Sequence, residues 1–323
     1  LEYSPPHFTE MAKDSTSAQT GVLSPAGSII SLAEQSAGLL VLAVLMMFTY
    51  ALFFQVPYAG FDWTATNGRV LKVFVEGPLK ADDRLIRIGP ITLTDFAADL
   101  RQIAFDRARP GDVVPLLIQR GGELLEIQWA FPGFNQNELL YRLSTQFWLA
   151  YLFWAFGETA LLLLRPKDAR WRLMIAFNFI TAIWLAAGTI SHWHVWESAL
   201  TTRAAMWLSA PVYLHLHWNF PKPLARLPKF VWPTLYTAAA LLAAAQWFQL
   251  LPEPLYTYCL SLALLGSFVL LGIHFAHPAQ RPDVRLVLVA GALAVVPTIV
   301  TGVFFSALAT QLPTANLFIA ASA

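Results

Sequence analysis

Seven long apolar runs alternate along the chain with shorter polar segments. A helix needs about 20 apolar residues to cross the hydrocarbon core of a bilayer, where unpaired backbone groups are not tolerated. The pattern therefore predicts a polytopic α-helical membrane protein with seven complete spans, and an apolar stretch from Leu312 to Ala323 predicts an eighth, truncated span. The seven predicted spans are Gly38–Phe54, Ser144–Leu164, Leu173–Ile190, Ala204–Phe220, Phe230–Leu251, Leu255–Ala276 and Leu286–Leu308.

Residues 56–137, between the first two runs, have a different period. Short alternating segments replace the continuous apolar runs, which is typical of strands. The pattern predicts a small mixed α/β domain inserted into the membrane protein. Its predicted elements are strands at Arg69–Val75, Leu85–Ile88, Asp112–Gln119 and Leu124–Ala130, the last two joined at Gly121-Gly122, and an amphipathic helix at Thr94–Phe105.

The other segments complete the predicted domain organisation. Residues 1–35 are rich in Ser, Thr, Ala and Pro, which predicts a flexible N-terminal tail. Residues 36–55 form the predicted first transmembrane helix, and residues 138–323 form the predicted helical bundle. The run at 36–55 has no basic segment before it and no small-residue cleavage pattern, so we expect a retained anchor.

Composition supports the membrane class. Hydrophobic residues make up 57% of the chain and charged residues 13%, whereas soluble domains carry about 25% charged residues. The net charge of +1 provides no basic field for a nucleic acid. The one cysteine, Cys259, excludes an internal disulfide and multi-cysteine metal sites.

The positions of basic residues predict how the chain crosses the membrane. Lys and Arg near the ends of spans are retained on the cytoplasmic side. Three alternate loops, within 165–172, 222–229 and 281–285, carry such residues, whereas the short loops between them hold only Arg203. We therefore expect a cytoplasmic N-terminal tail, an extracytoplasmic α/β domain and a chain that returns towards the cytoplasm.

The α/β domain resembles a PDZ domain in three motifs. Val70–Pro78 is similar to the second PDZ strand and its Gly-Pro turn, Asp83–Ile86 to the Gly-Asp-Arg-Ile-Leu step, and Pro110–Val114 to the Pro-Gly-Asp turn. The sequence departs from the family at Asp82, where the family has Gly, and at Gly89-Pro90, where it has Asn-Gly. The usual Pro-Ala start of the helix is also missing.

The PDZ resemblance implies a peptide-binding groove. A peptide would add as a strand beside residues 61–64, and the loop from Tyr58 through Gly60 to Phe61 would bind its carboxylate with backbone N–H groups. One side chain of the peptide would lie against Phe96 and Leu100. The alternative is that Phe96 and Leu100 fill the domain core, as apolar faces of amphipathic helices usually do.

Three polar residues lie at similar depth in the predicted spans. Ionisable groups inside a membrane are costly and are candidates for function. Glu158, Asn178 and His215 therefore predict a buried polar layer, in which Glu158 pairs with His215. The alternative is that Glu158 faces a water-filled cleft and His215 bonds a backbone carbonyl.

Four histidines lie near the inner ends of two predicted spans: His215, His217, His274 and His277. Neutral imidazoles suit Zn, Cu and Fe, but residues two apart on a helix point to different sides. We therefore predict no metal and no other cofactor. The sequence has no His-Glu-x-x-His, Gly-x-Ser-x-Gly, P-loop or kinase motif, so no catalytic residue is predicted.

The segment Tyr213–Pro223 is the most distinctive in the chain. It resembles the Leu-His-x-x-x-x-Phe-Pro-x-Pro end of a span in bacterial sensor modules, and the whole arrangement is similar to the quorum-sensing competence histidine kinases. The resemblance implies a multi-pass sensory module in a bacterial plasma membrane. It would form a homodimer, contact membrane lipid, detect a peptide or lipidated peptide, and relay the signal to a cytoplasmic histidine-kinase output domain through a kink near Pro297.

Two other classes of function remain open. The chain could be an accessory or assembly subunit of a larger membrane complex that uses the α/β domain for docking. A transporter is disfavoured because the sequence shows no repeated pair of broken spans.

Overall fold

The computed structural model describes residues 25–64, 67–106, 108–145, 147–252, 255–282, 284–285 and 287–289, with side chains from residue 36 onward. Eight α-helices and six strands occur in these residues. The helices are α1 (Pro25–Tyr50), α2 (Leu93–Ala98), α3 (Gln136–Leu143), α4 (Phe147–Leu163), α5 (Ala169–Thr189), α6 (Ser198–Asn219), α7 (Val231–Trp247) and α8 (Leu255–Ala276). The first helix thus begins inside the segment predicted to be a flexible tail.

The seven-span prediction is wrong. Within the described residues, four helical segments are long and apolar enough to cross a membrane: Ser36–Gln55, Gln136–Leu163, Ala169–Thr189 and Leu255–Ala276. The predicted seventh span lies almost wholly outside the described residues, and the predicted eighth span and the kink at Pro297 lie wholly outside them.

Helices α6 and α7 account for the difference in the described part. With 17 residues, α7 is about 26 Å long, which is shorter than the hydrocarbon core of about 30 Å. Helix α4 has the same length and forms a long enough segment only together with α3. With 22 residues, α6 is long enough, but Arg203, His215 and His217 lie along it and lower its mean hydropathy. A count of apolar runs overlooks both effects.

The helices pack around α6, which contacts α5, α7 and α8, while α4 and α1 pack on α5. Polar side chains join neighbouring helices inside this bundle. The Trp154 indole N–H donates to the Gly38 carbonyl at 2.9 Å, and the Thr181 and Tyr213 hydroxyl groups lie 2.6 Å apart. These contacts hold α1 on α4 and α5 on α6.

The α/β domain contains two small sheets. Strands β1 (Phe61–Trp63) and β2 (Val70–Val73) form an antiparallel pair. The second sheet has the order β4-β3-β5-β6, and its strands are β3 (Arg84–Ile88), β4 (Ile91–Thr92), β5 (Val113–Arg120) and β6 (Glu123–Ala130). The predicted strands are therefore present, but they do not form one continuous sheet.

The hairpin of β5 and β6 was predictable because its turn is glycine-rich. Arg120 pairs with Glu123, and the two residues between them, Gly121 and Gly122, have φ values of 59° and 92°. Positive φ at both central positions is characteristic of the type I′ turn that suits the twist of a hairpin.

The helix predicted at Thr94–Phe105 is shorter than expected. It begins after Thr92, whose side chain accepts from the Asp95 N–H, and it ends at Ala98. Asp99 is already extended, with φ −120° and ψ 100°. The following residues leave the helix because their backbone bonds parts of the bundle: the Leu100 N–H donates to Gln249 Oε1 at 3.0 Å, and the Gln102 carbonyl contacts His194.

The domain and the bundle share one hydrophobic core. Buried residues of the domain, such as Phe61, Leu116 and Trp129, form one contiguous cluster with buried residues of α1, α5 and the α5–α6 connection. The domain lies at the end of the bundle where α5 ends and α6 begins. The basic segments 165–172 and 222–229 lie at the other ends of these helices, where Arg170 Nη1 donates to the Pro221 carbonyl at 2.8 Å.

Candidate functional site between the domain and the bundle

Two junctions join the α/β domain to the helices. The first is a buried ion pair on α3, formed by Glu138 and Arg142, which we call the clamp. Its Oε1–Nη2 distance is 2.6 Å and the two side chains are 3% and 6% exposed. The Arg142 guanidinium also donates to three backbone carbonyls in the segment that follows α1, those of Leu52, Val56 and Pro57, at 2.7–2.9 Å.

The other carboxylate oxygen of the clamp holds the start of the domain. Glu138 Oε2 accepts a hydrogen bond of 3.0 Å from the Gly60 N–H. Gly60 has φ +80°, and a Cβ there would approach Pro132 and Val75 to 2.8 Å. The clamp therefore satisfies its own charges and fixes the turn into β1.

The second junction is the connection between α5 and α6, residues 190–197, which we call the docking loop. His194 is 4% exposed and stacks on Phe96 of α2, with ring centroids 4.1 Å apart and planes 3° from parallel. Its Nδ1 lies 3.0 Å from the Gln102 carbonyl. Burial lowers the pKa of His194 from 6.5 to about 4, so the ring is neutral at ordinary pH and Nδ1 donates this bond.

Other contacts extend the docking junction. The Trp193 ring meets Trp63 edge to face at 6.1 Å and Phe105 at 6.4 Å. Arg101 Nη2 donates to the Trp247 carbonyl at the end of α7, at 3.0 Å. The domain therefore contacts two different connections of the bundle.

Asp62 on β1 lies between the two junctions. One oxygen accepts a 2.8 Å hydrogen bond from the Tyr141 hydroxyl on α3, and the other lies 3.4 Å from His192 Nε2 in the docking loop. Burial alone raises the pKa of Asp62, but the imidazole of His192, the Tyr141 hydroxyl and the backbone N–H of Trp63 together hold the pKa below its usual value. Asp62 is therefore a carboxylate.

A cavity of about 320 Å³ lies between β1, α2, the docking loop and the start of α6. We call it the interface cavity. Its lining is polar along one part and apolar along another, where Leu71, Ala97 and Ala199 lie. The polar lining residues are Asp62, Thr64, Ser191, His192, His194, Thr202 and Arg203, and Trp63 and Tyr256 add aromatic rings.

Two buried nitrogen atoms of the cavity lining have no hydrogen-bond partner among the described residues. They are Trp63 Nε1 and His192 Nε2, the latter too poorly aligned with Asp62 for a hydrogen bond. Arg203, 8% exposed, places its guanidinium 5.1 Å from the centre of the Tyr256 ring. The cavity thus places polar side chains and a cation beside an apolar wall, which suits a small polar molecule.

Four of the five residues predicted to form a peptide groove lie under the chain's own atoms. Phe61, Phe96 and Leu100 are 1–2% exposed, and the Gly60 N–H is bonded to Glu138. The fifth, Tyr58, packs its ring 3.9 Å from the Arg142 guanidinium. This arrangement agrees with the alternative in which Phe96 and Leu100 fill the core.

The predicted polar layer does not assemble. Glu158 lies against Gly38 of α1, and its Oε2 is buried without a hydrogen-bond partner among the described residues. Asn178 donates to the Met174 carbonyl of its own helix at 2.8 Å. His215 stacks on Trp232 of α7 at 3.9 Å. Sequence spacing predicted a similar depth for these residues, but it could not identify the helix that each one faces.

The four histidines considered as metal ligands bond other groups. His215 contacts the Tyr236 hydroxyl, and the other three contact backbone carbonyls of the chain. In the part of the chain that the structure describes, no group of three or more His, Cys, Asp or Glu residues could hold a metal ion.

The sequence carried only partial signals for the interface cavity. His192 and His194 stood out as a pair in an outer loop, and Arg203 as the single basic residue of the intervening loops. Asp62 and Trp63 gave no signal because their role depends on the docking of β1 onto the α5–α6 connection.

Comparison with known proteins finds no matching family model, no similar curated protein and no similar solved structure. The resemblances to PDZ domains and to sensor kinases therefore gain no support from these comparisons.

Proposed function

We propose that this chain is a sensory membrane module, in which a ligand in the interface cavity changes how the α/β domain sits on the helices. The observation that carries the proposal is the position of the cavity. Residues of the domain and of α6 both line it, so a ligand contacts both bodies at once. A ligand shifts an equilibrium between two states only if it binds them with different affinities. A site lined by both the domain and α6 changes shape when the domain moves on the helices, so its affinity for a ligand changes too.

Helix α6 provides a path from the cavity to the other end of the bundle. It begins at Ser198, directly after the docking loop, and it continues for 22 residues to Asn219. This corresponds to about 33 Å at 1.5 Å per residue. A displacement of the docking loop would reach the basic segment 222–229 through α6 and the helices packed on it.

The membrane location has partial support, and the direction of signalling is part of the proposal. Four helical segments in the described residues are long and apolar enough to cross a membrane. The domain and the basic segments lie at opposite ends of α5 and α6, which agrees with an extracytoplasmic domain under the rule that basic loops stay inside. The proposed cytoplasmic kinase-type output and homodimer rest on the sequence resemblance.

A matched pair of substitutions on α2 tests the relay without a known ligand. Ala97 lines the cavity, whereas its neighbour Ala98 does not. In the full chain in lipid nanodiscs, Ala97→Trp should act as a built-in ligand and change hydrogen exchange in the docking loop and in segment 222–229. Ala98→Trp should change neither. A change confined to the docking loop in Ala97→Trp would contradict the relay.

An accessory subunit is the second candidate, and a free sheet edge favours it. Among the described strands, β6 pairs only with β5, so its other edge is open to strand addition from a partner. Leu124 on this strand is 62% exposed. Co-purification of another membrane protein at fixed stoichiometry, lost on Leu124→Lys and retained on Phe134→Lys, would support this function in place of a sensor.

A further inference from the structure

We propose that the docking loop contacts the membrane surface, because Trp196 belongs to a set of exposed aromatic side chains that lies in the lipid headgroup layer. This set, which we call the collar, consists of Tyr50, Trp148, Trp196 and Tyr258. Its members are 39–61% exposed, and every other tyrosine and tryptophan in the described part of the chain is less exposed. The inference needs the membrane location of the chain but not the ligand-driven relay proposed above.

Contacts within the chain place three collar residues at one level of the bundle, next to the domain. Tyr50 is the last residue of α1, and its ring stacks on that of Trp196 with centroids 5.8 Å apart. Trp148 follows Phe147, whose ring meets that of Phe53, in the segment after α1, at 5.4 Å. The end of α1, the start of α4 and the docking loop therefore lie side by side.

The collar extends to another flank of the bundle through α8. Tyr256, two residues before Tyr258, lines the interface cavity, and its ring centre lies 5.1 Å from the Arg203 guanidinium. The start of α8 is therefore level with the start of α6 and the docking loop. Helix α8 packs on α6, whereas α1 and α4 pack on α5. Residues spread over separate flanks suit a bilayer, which surrounds the bundle, better than a single protein partner, which covers one patch.

The surface below the collar is apolar. Met46 on α1 is 60% exposed, Phe156 on α4 is 63% exposed, and Leu262 on α8 is 68% exposed. All three lie in segments that are long and apolar enough to cross a membrane, so in a bilayer these faces contact hydrocarbon. The collar thus lies where the apolar surface ends and the domain begins. Trp and Tyr are enriched at this boundary of membrane proteins, because each combines an apolar ring with a polar N–H or O–H.

The contact with lipid distinguishes the docking loop from the clamp. The clamp side chains, Glu138 and Arg142, are 3% and 6% exposed, whereas Trp196 is 40% exposed. Trp196 has φ 50° and ψ 43°, a region that is unfavourable for a residue other than glycine. The docking loop is therefore held on one side by the domain, through His194, and on the other by the membrane, through Trp196.

Spin labels on introduced cysteines measure the depth of the collar in the full chain in lipid nanodiscs. The chain has one cysteine, Cys259, so Cys259→Ala provides a background with no other label site. Trp148→Cys, Trp196→Cys and Tyr258→Cys are then labelled one at a time. Relaxation of each label by oxygen, which concentrates in hydrocarbon, and by a water-soluble nickel chelate reports its depth.

Two reference positions of matched exposure calibrate the depth. Phe156→Cys on α4 replaces a ring that is 63% exposed, and Leu124→Cys on β6 replaces a side chain that is 62% exposed. We expect oxygen to relax the first reference most and the nickel chelate the second, with the collar labels between them. Collar labels as accessible to the chelate as the Leu124→Cys label would overturn the proposal. Collar labels shielded from both reagents would also overturn it, because protein would then cover the collar.

Fluorescence quenching by brominated lipids covers the case in which Trp196→Cys alters the loop. Trp196→Phe keeps a ring that can stack on Tyr50, and the difference between the native chain and this variant isolates the Trp196 emission. We expect this emission to be quenched more by bromine near the headgroup end of the acyl chain than by bromine at its methyl end. The emission lost in Trp129→Phe, at a domain ring that is 1% exposed, should be quenched by neither lipid. Absence of quenching at Trp196 would overturn the proposal.

The lipid contact and the sensor fail separately. If the collar labels lie at headgroup depth and Ala97→Trp leaves exchange in segment 222–229 unaltered, the lipid contact stands and the relay is wrong. If Ala97→Trp alters exchange in that segment and the label at position 196 lies in water, the relay stands and the lipid contact is wrong.

Discussion

The two junctions of the α/β domain use buried polar groups in opposite ways. In the clamp, Glu138 and Arg142 pair with each other, and both also bond backbone groups, Arg142 in the segment after α1 and Glu138 at Gly60. At the docking junction, Trp63 and His192 each keep a buried nitrogen atom without a partner among the described residues, beside a cavity. The comparison leads us to expect a fixed attachment at the clamp, and under the proposed function the docking junction is the one that responds to a ligand.

The backbone shows the same contrast. Gly60 provides the positive φ that the clamp requires, and glycine adopts such values readily. In the docking loop, His194, Trp196 and Glu197 have φ values of 50–57°, a region that costs non-glycine residues about 1 kcal/mol or more each. We therefore expect this conformation to depend on the contacts of the loop, in which His194 stacks on Phe96 of the domain and Trp196 on Tyr50 of α1.

Removing the charge of the clamp should have the largest effect. Arg142→Met leaves Glu138 buried without its cation, a change that costs about 3–5 kcal/mol in other proteins. We expect that loss in the free energy of unfolding of the domain, measured by denaturant titration in detergent with a probe in β5.

An exposed arginine provides the control for the clamp. Arg69 pairs with Asp82 at 42% and 73% exposure, and Arg69→Met should cost less than about 1 kcal/mol. The double variant Glu138→Gln with Arg142→Met should recover part of the loss, because it removes the unpaired charge. Equal costs for Arg142→Met and Arg69→Met would mean that the clamp is no more important than a surface pair.

Phe96→Ala should have the next largest effect. It removes a ring that is 1% exposed and stacked on His194, and such truncations cost about 3–5 kcal/mol. We expect faster hydrogen exchange in the docking loop while residues 138–142 keep their protection. Phe134→Ala, at a ring that is 70% exposed, serves as the control. Loss of protection at both junctions would show that they are one cooperative unit, contrary to the comparison.

Lowering the pH should weaken the docking junction alone. The pKa of folded His194, about 4, lies below the ordinary 6.5, so the undocked state binds a proton first. The stabilisation of the docked state by neutral His194 is complete above about pH 6.5 and is lost as the pH falls towards 4. A tenfold change in proton affinity corresponds to about 1.4 kcal/mol, so the docked state loses at most about 3 kcal/mol. Hydrogen exchange in the docking loop between pH 7 and pH 4.5 would measure this loss.

Other charges near His194 do not reverse this expectation. Arg203 and His192 lower its pKa further, and Asp99 raises it by less than burial lowers it. The pKa of Asp62 lies below its usual value, so Asp62 keeps its charge over this range. His194→Asn keeps a donor near the Gln102 carbonyl and tolerates positive φ, so it should weaken docking at pH 7 and abolish the pH dependence. A pH dependence that persists in this variant would exclude His194 as its cause.

Local patterns in the sequence predicted the secondary structure of the domain better than they predicted the membrane spans or the site. The β5–β6 hairpin was predictable from alternation and from Gly121-Gly122, because both signals lie within a few residues. The end of α2 at Ala98 was not predictable in this way, because the residues that follow it bond Gln249 and His194, which are both distant in the sequence.

The site was less predictable for the same physical reason. Glu138 follows the predicted domain and shows no sign in the sequence that its carboxylate bonds Gly60, where an external carboxylate was expected. The interface cavity depends on Asp62 and on His192 and Arg203, which lie 130 and 141 residues after it. Only the docking of the domain onto the bundle brings them together.

The smallest expected effect tests whether the two junctions communicate. Asp62 accepts from Tyr141, on the helix that carries the clamp, and contacts His192 in the docking loop. Tyr141→Phe and His192→Phe each remove one of these contacts, and together they leave the carboxylate with little compensation. We therefore expect the double variant to lose about 0.5–1 kcal/mol more than the sum of the single variants, measured by unfolding of the domain at pH 7.

The cycle of Tyr141→Phe with Arg69→Met, which shares no partner, should be additive within about 0.5 kcal/mol. Additivity in the Asp62 cycle as well would mean that the fixed attachment and the responsive junction act independently, and a ligand signal would then have to travel through α6 alone.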